Sequence, residues 1–400
     1  MEKIILKNGV TLLYEYRVGE VTSFCIGFDA GALREDGFTK GCAHGVEHML
    51  FKGIDGCNED EINKKLDELF GFNNAMTNYP YVVYYGTCLS EDINESFNLY
   101  SNILLKPTFP KEGFNEEKEI IIQECREWKE DLEQHIEDEL LFNAFNTRRI
   151  KETIIGEEKS LNKLEIDELK KFYKKFYVPG NAVISFVTSL NKEEIVNLVN
   201  SSWGDLNDET KISKLDFHDN INWGTYEKKV EGFNGVKLLY GFDISSLDER
   251  ELEALYIFNM FLGDGVSSLL FSKVRTEKGL AYEINSNIKY EKGISLFTIY
   301  GSTSQDKIDN MKETIEEILM NIKDYIENNL QNLKVYKKRL LMKRGVLEES
   351  SIRRALVIST NEIMFKKQIH EKEIIMSITK EEIKDIAYKI FENKVIQILK

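Results

Sequence analysis

Two of the chain's five histidines, His44 and His48, stand four residues apart with Glu47 between them, in the run Ala43-His44-Gly45-Val46-Glu47-His48. The H-x-x-E-H spacing makes sense only on a helix. There, residues i and i+4 lie one turn apart on one face, and two imidazoles can grip a single ion. Glu47 follows His44 by three residues and adjoins His48, so its carboxylate lies near the same face. It can take a proton from a water that a bound metal acidifies. With five His and 68 acidic residues among 400, the pattern H-x-x-[DE]-H arises by chance about 0.01 times. The competing reading is a pair of helix-surface histidines, and the chance figure weighs against it.

Two histidines need a third protein ligand, commonly a carboxylate. The patterning predicts a helix over Glu116–Asn146, which offers Glu117, Glu119, Glu124 and Glu127. Glu117 and Glu124 are seven apart, two helical turns on one face, and Ile120 and Ile121 beside them mark that side as buried. A carboxylate on a buried face calls for a cation or hydrogen-bond partners. One of the pair can bind the metal while the other orients a ligand, and spacing leaves open which. Glu119 and Glu127 read as solvated. The five cysteines (Cys25, Cys42, Cys57, Cys88, Cys125) form no C-x-x-C pair and read as small buried hydrophobes, not as a disulfide framework or thiolate knuckle.

Four hundred residues exceed one ordinary core and suit two domains. The polar stretch 207–222 reads as a linker between a domain over 1–206 and a second over 223–400. Strand-like runs at Val10–Tyr16, Thr22–Phe28, Tyr81–Leu89 and Ala182–Thr188 alternate with helical patterning at Gly41–Lys52, Glu59–Phe70, Glu91–Leu105 and Lys163–Phe176. The opening residues, Met1–Gly9, read as an edge strand entering a turn and not as a signal peptide. The second half repeats the plan loosely: strands at Lys237–Phe242 and Ile294–Tyr300, helices at Glu249–Leu262 and Lys307–Leu333. Strands and helices without a βαβ rhythm predict an α+β class, two similar domains with helices packed on mostly antiparallel sheets. No run approaches the ~18 apolar residues of a membrane span, and a net charge of −15 repels phosphate backbones. Neither a membrane nor nucleic acid is an expected partner, and the expected location is cytoplasmic.

The run Ala43–Gly53 resembles the "AHxxEHMxFKG" signature of the pitrilysin and mitochondrial processing peptidase family of zinc metallopeptidases, the inverzincins. Gly31-Ala32-Leu33-Arg34-Glu35 is similar to the family's "GSxxE" stretch. Ile120-Ile121-Ile122-Gln123-Glu124 stands where the family's "VIxxE" helix supplies its third ligand, so the resemblance implies His44, His48 and Glu124 around Zn²⁺, with Glu117 orienting a ligand from behind. Asn74-Ala75-Met76-Thr77 resembles "NAxT", implying that Asn74 and Ala75 receive substrate by strand addition. Tyr177-Val178-Pro179-Gly180-Asn181 resembles "YxPxN". Leu262–Phe271 and Val274–Tyr282 resemble "LGxGxxSxLFxxVRExxGLAY", by which Arg275 and Tyr282 grip the peptide backbone and the developing oxyanion. Pro80 departs from the family, which often has Glu there; a proline cannot donate to a ladder, so the departure bears on substrate specificity.

The resemblance implies a half-length, bacterial-type member in which two chains close as a clam shell around a chamber. Each zinc would be served by the partner's Tyr282. The expected activity is that of a zinc metalloendopeptidase acting on peptides or unfolded segments, including leader or precursor peptides. A homodimer is expected, with a heterodimer as the variant. The alternative from another class is a non-hydrolytic peptide-binding or scaffolding subunit of a heterodimeric peptidase, for which an eroded metal motif would be expected; here the motif is intact.

Overall fold

Phe24, Ile26 and Phe28 point to one side of a strand, Cys25 and Gly27 to the other, and both sides are buried. Burial on both faces needs cover above and below, and a computed structural model describing residues 1–146, 148–206, 212–215, 221–368 and 372–400 shows how it is supplied. Residues 207–211 and 216–220 of the stretch read as a linker lie outside the described residues.

The strands in chain order are β1 Glu2–Ile5, β2 Thr11–Tyr16, β3 Val21–Phe28, β4 Gly53–Ile54, β5 Cys57–Asn58, β6 Phe72–Thr77, β7 Val82–Leu89, β8 Ala182–Thr188, β9 Gly224–Lys228, β10 Val236–Asp243, β11 Glu283–Glu291, β12 Ile294–Thr303 and β13 Val395–Leu399. The residues cluster into two compact units. The first comprises Met1–Glu127, Glu152–Asp216 and Leu347–Gln368; the second, Trp128–Lys151, Phe217–Val346 and Ile369–Lys400. The first holds a six-stranded sheet in the order β1-β2-β8-β3-β7-β6, and the second a five-stranded sheet in the order β11-β12-β10-β13-β9. The α+β class expected of the sequence is what the two units show.

The repeat that the sequence shows loosely is close at the level of topology. In the first sheet β2 runs parallel to β8, and the steps β8/β3, β3/β7 and β7/β6 are antiparallel. In the second, β9 runs parallel to β13, and β13/β10, β10/β12 and β12/β11 are antiparallel. Edge strand β6 of the first unit thus corresponds to edge strand β11 of the second.

One face of the first sheet packs Phe24, Ile26, Tyr84, Ile184 and Phe186 against helices that include Cys42–Leu50, Ile93–Leu105 and Ile166–Phe176. The other face, with Leu13, Cys25, Val83, Val183 and Val187, is covered by the helix Ser351–Phe365 through Ala355, Ile358 and Ile363. Polar pairs pin that helix: Ser351 on Ser23 at 2.7 Å, Ser359 on Ser185 at 2.9 Å, Arg354 on Glu15 at 2.9 Å and Lys3 on Glu362 at 2.6 Å. In the second unit the helix Leu132–Ala144 takes the corresponding place over β10 and β13. Each covering helix thus lies far along the chain from most of its own unit. Both sit close: a Cβ on Gly27 would stand 2.6 Å from Ile363 Cδ1, and one on Gly241 would stand 3.2 Å from Leu140.

The expected single helix over Glu116–Asn146 is two, Phe114–Glu130 and Leu132–Ala144, divided at Asp131. Asp131 adopts an extended conformation and accepts hydrogen bonds from the N–H groups of Glu133 and Gln134, starting a new helix. The expected helix over Lys307–Leu333 is likewise broken, into Ile308–Met320 and Ile322–Asn329. Among the described residues no helix is long and apolar enough to cross a membrane.

Candidate metal centre

The helix Cys42–Leu50 is shaped by what precedes it. Gly41, at φ +91°, turns the chain into the helix, and a Cβ there would meet the Ile155 carbonyl oxygen at 2.4 Å. The buried carboxylate of Glu35 accepts from the N–H of Gly41 at 3.1 Å and of Ala43 at 2.9 Å, satisfying the first turn and favouring its dipole. Cys42, Ala43, Val46, Met49 and Leu50 face the core, which leaves His44, Glu47 and His48 as a polar stripe. Gly45 lets Leu164 and Leu169 approach the other side.

The helix Phe114–Glu130 brings the third group. Its buried face carries Glu117, Ile121 and Cys125, with Glu124 at the rim. Ile121 is buried as expected, but Ile120 is 48% exposed, because the stripe defined by Glu117, Ile121 and Cys125 steps by four and leaves position 120 outside it. Glu119 and Glu127 face solvent.

His44 Nε2 and His48 Nε2 are 3.2 Å apart, and Glu124 Oε2 lies 3.4 Å from His48 Nε2 and 3.8 Å from His44 Nε2. Among the described residues this is the one group of three or more His, Cys, Asp or Glu side chains convergent enough to hold an ion. Ligands of a tetrahedral zinc at the usual bond lengths are about 3.3 Å from one another. The donor set is the right one as well. His48 Nδ1 is 2.7 Å from Glu117 Oε1, so that nitrogen donates its proton outward and Nε2 turns a lone pair to the centre. His44 Nδ1 is buried with no hydrogen-bond partner among the described residues. Burial, and then the neighbouring His48, push the His44 pKa down to about 3, so this ring is neutral. Two lone pairs and a carboxylate oxygen facing one point call for a cation, and the residues fit a zinc ion.

In the metal-free protein a proton answers part of that need. Burial works against a charged His48, but its hydrogen bonds to Glu117 and Glu124 override burial and carry the pKa to about 9. Glu124 is held below its ordinary value chiefly by the His48 hydrogen bond. For Glu117 burial raises the pKa, and His48 and Lys52 more than reverse it. Glu47 moves the other way: burial lifts its carboxyl, partly offset by the Thr77 hydroxyl, which donates to Oε2 at 2.5 Å.

His44, Glu47, His48, Glu117 and Glu124 are therefore assembled in one place in the first unit. Asn74 and Ala75 belong to the same unit, on β6, whose outer edge pairs with no described strand. Pro80 lies in the connection between β6 and β7, outside both ladders. Arg275 and Tyr282 belong to the second unit. Arg275 is exposed with its guanidinium 4.8 Å from the Phe271 ring centroid, and Tyr282, just before β11, is 67% exposed. Cys42 and Cys125 are buried and stand outside the converging group. Sequence reasoning gave no task to Thr77, Glu35 or Lys52, although all three lie inside quoted motifs. No spacing rule links Thr77 to Glu47, thirty residues away.

Residues 11–158 match the family model described as Insulinase (Peptidase family M16), and residues 163–338 match the one described as Peptidase M16 inactive domain. An uncharacterized zinc protease of Rickettsia felis is 27% identical over 398 residues, 97% of this chain and 94% of that one. The uncharacterized zinc protease YmxG of Bacillus subtilis is 27% identical over 323 residues, 80% of this chain and 78% of that one. The probable mitochondrial-processing peptidase subunit beta of Arabidopsis thaliana is 24% identical over 323 residues, 78% of this chain and 61% of that one. Among solved structures, a protease from Helicobacter pylori superposes with a TM-score of 0.90 over 100% of this chain and 99% of that one, at 19% identity. A peptidase M16 inactive domain from Pseudomonas fluorescens gives 0.87 over 100% and 97%, at 18% identity.

Proposed function

Because the chain belongs to the M16 family of peptidases, we propose that it is a zinc metalloendopeptidase whose metal is held by His44, His48 and Glu124. The observation that carries this reading is the convergence of two imidazole Nε2 atoms and one carboxylate oxygen at ligand-to-ligand distances, with Glu47 on the same helix stripe. When bound, zinc supplies Lewis acidity toward a scissile carbonyl and a water.

The chain's own residues do the rest. Glu47 accepts the proton of the attacking water and returns it to the departing amine, a task for which a carboxyl with a raised pKa is suited. Glu117 fixes the tautomer and tilt of His48. The outer edge of β6, which pairs with no described strand, pairs at Asn74 and Ala75 with the backbone of an extended peptide and leaves side-chain demands weak. Arg275 and Tyr282 donate hydrogen bonds to the developing oxyanion and the peptide backbone. Two such chains form a homodimer, each Tyr282 serving the metal site of its partner around an enclosed chamber. Unfolded peptides, leader or precursor segments among them, are the substrates that a chamber admits.

The test pairs zinc content by elemental analysis with digestion of a mixed peptide library by the wild type and Glu47→Gln. About one zinc per chain, with cleavage abolished in the variant, supports the reading. Zinc retained by a wild type that cuts nothing, alone or with added partner chains, would favour the non-hydrolytic peptide-binding subunit.

A further inference from the structure

The carboxylate of Glu117 is divided between two partners. Oε1 meets His48 Nδ1 at 2.7 Å, and Oε2 receives the ammonium of Lys52. Lys52 is held from its other side by Glu59 Oε1 at 2.8 Å, in the first turn of the helix Glu59–Leu69. Glu59, Lys52, Glu117 and His48 thus form an unbroken line of contacts that ends on a ring nitrogen of a proposed zinc ligand.

The chain's geometry explains why residue 52 fills this place. The metal helix ends at Leu50, and residues 51–52 continue its last turn, with the Lys52 N–H on the Met49 carbonyl. Lys52 therefore follows His48 by four residues on the same side. Its side chain is 18% exposed, and that of Glu117 is 7% exposed. A carboxylate gripped at one oxygen can still rotate about its last bond. One gripped at both oxygens has its plane fixed, and with it the direction of the bond to His48 Nδ1.

We infer that Lys52 is a positioning residue of the metal site, acting through Glu117 to aim His48 at the ion. The inference rests on the zinc reading above and adds to it a residue that touches neither metal nor substrate. Lys52 is already occupied by two carboxylates, so its charge is committed to this line and not to a peptide.

The experiment measures the zinc dissociation constant of the full-length protein by competition with a chromogenic chelator, for the wild type, Lys52→Met, Lys52→Arg, Glu117→Gln and the double variant Lys52→Met/Glu117→Gln. Thermal unfolding of each metal-free form runs beside it. Glu117→Gln should weaken zinc about 10–100-fold and Lys52→Met about tenfold, as changes behind a metal ligand do. Lys52→Arg should restore most of the loss. In the Glu117→Gln background, removing Lys52 should cost less than about twofold more, since its route to the metal is already cut. Unchanged affinity in Lys52→Met, or an equal loss in both backgrounds, would overturn the inference. So would a loss that arginine fails to restore and that follows a lowered melting temperature of the metal-free form, which assigns Lys52 to the fold alone. A wild type that takes up no zinc would bring down the zinc reading itself; normal zinc in the wild type with additive variants removes only the role of Lys52.

Discussion

The hydroxyl of Thr77 donates to Oε2 of Glu47 over 2.5 Å, tying the last residue of edge strand β6 to the helix that carries the two histidines. The strand proposed to receive the peptide and the carboxylate proposed to take the proton are thereby one mechanical unit.

Thr77→Val should lower kcat about 10–100-fold, since a general base freed to rotate loses part of its contribution, while KM changes little. Zinc content should be unaffected, because the Thr77 hydroxyl is spent on Glu47, which is not a proposed ligand. Thr77→Ser, which keeps the hydroxyl, should recover most of the rate. Steady-state kinetics on one fluorogenic peptide, with metal analysis of each variant, would decide it; a change confined to KM would contradict the assignment.

Zinc affinity should rise steeply with pH. In the metal-free protein His48 keeps its proton up to about pH 9, and the metal takes the neutral ring. One proton therefore leaves per zinc at neutral pH, and affinity climbs about tenfold per pH unit until about 9 and then flattens. The same raised pKa stabilises the metal-free fold. That stability is complete below the unfolded value of about 6.5 and is lost as pH rises through about 9. Calorimetric titration in two buffers of different ionisation heat counts the proton, and an affinity that is flat below pH 9 would contradict the site's charge balance.

Gly41→Ala should cost far more than Gly37→Ala. Both glycines hold left-handed φ angles, +91° and +79°, but a Cβ on Gly37 meets open space while one on Gly41 meets the Ile155 carbonyl oxygen at 2.4 Å. The Gly37 variant should lose about 1–2 kcal/mol from strain alone. The Gly41 variant adds a backbone clash at the start of the metal helix and should lose both folded yield and zinc. Urea unfolding of the two proteins makes the comparison, and equal losses would refute it.

Residues 1–206 expressed alone should aggregate or remain molten. The fragment contains all six strands of its sheet but leaves Leu13, Cys25, Val83, Val183 and Val187 without the helix that covers them. Rejoining residues 347–368 through a flexible linker should restore cooperative unfolding and a near-ultraviolet signal. A fragment that folds equally well without them would show the helix to be dispensable.

The candidate metal group was legible in the sequence because the chemistry proposed for it demands fixed spacing. His44, Glu47 and His48 must fall on one helical face, and that requirement is written in four consecutive intervals. The same helical arithmetic narrows the third ligand to Glu117 and Glu124, though the exposed Ile120 makes the buried side narrower than that arithmetic predicts. What stayed hidden was long-range. Nothing local to Ser351–Phe365 announces that it packs on β3 and β8, and nothing in Glu116–Asn146 except Asp131 warns that the helix stops and its second half joins the other sheet. The partners of Glu35, Lys52 and Thr77 are likewise set by tertiary folding, which pattern and period do not reach.

The placing of the two covering helices also sets a timetable for synthesis. At about 5–20 residues per second, on the order of 10–35 s separate the emergence of β8 from that of residue 365. Throughout that interval all six strands of the first sheet have been synthesised, but the helix that covers one face of it has not. The second unit waits longer, for β13 at Val395–Leu399 is an interior strand of its sheet, between β10 and β9. Each unit is thus closed by a late segment, the helix Ser351–Phe365 for the first and β13 for the second, and a nascent chain interrupted before residue 351 leaves Leu13, Cys25, Val83, Val183 and Val187 uncovered.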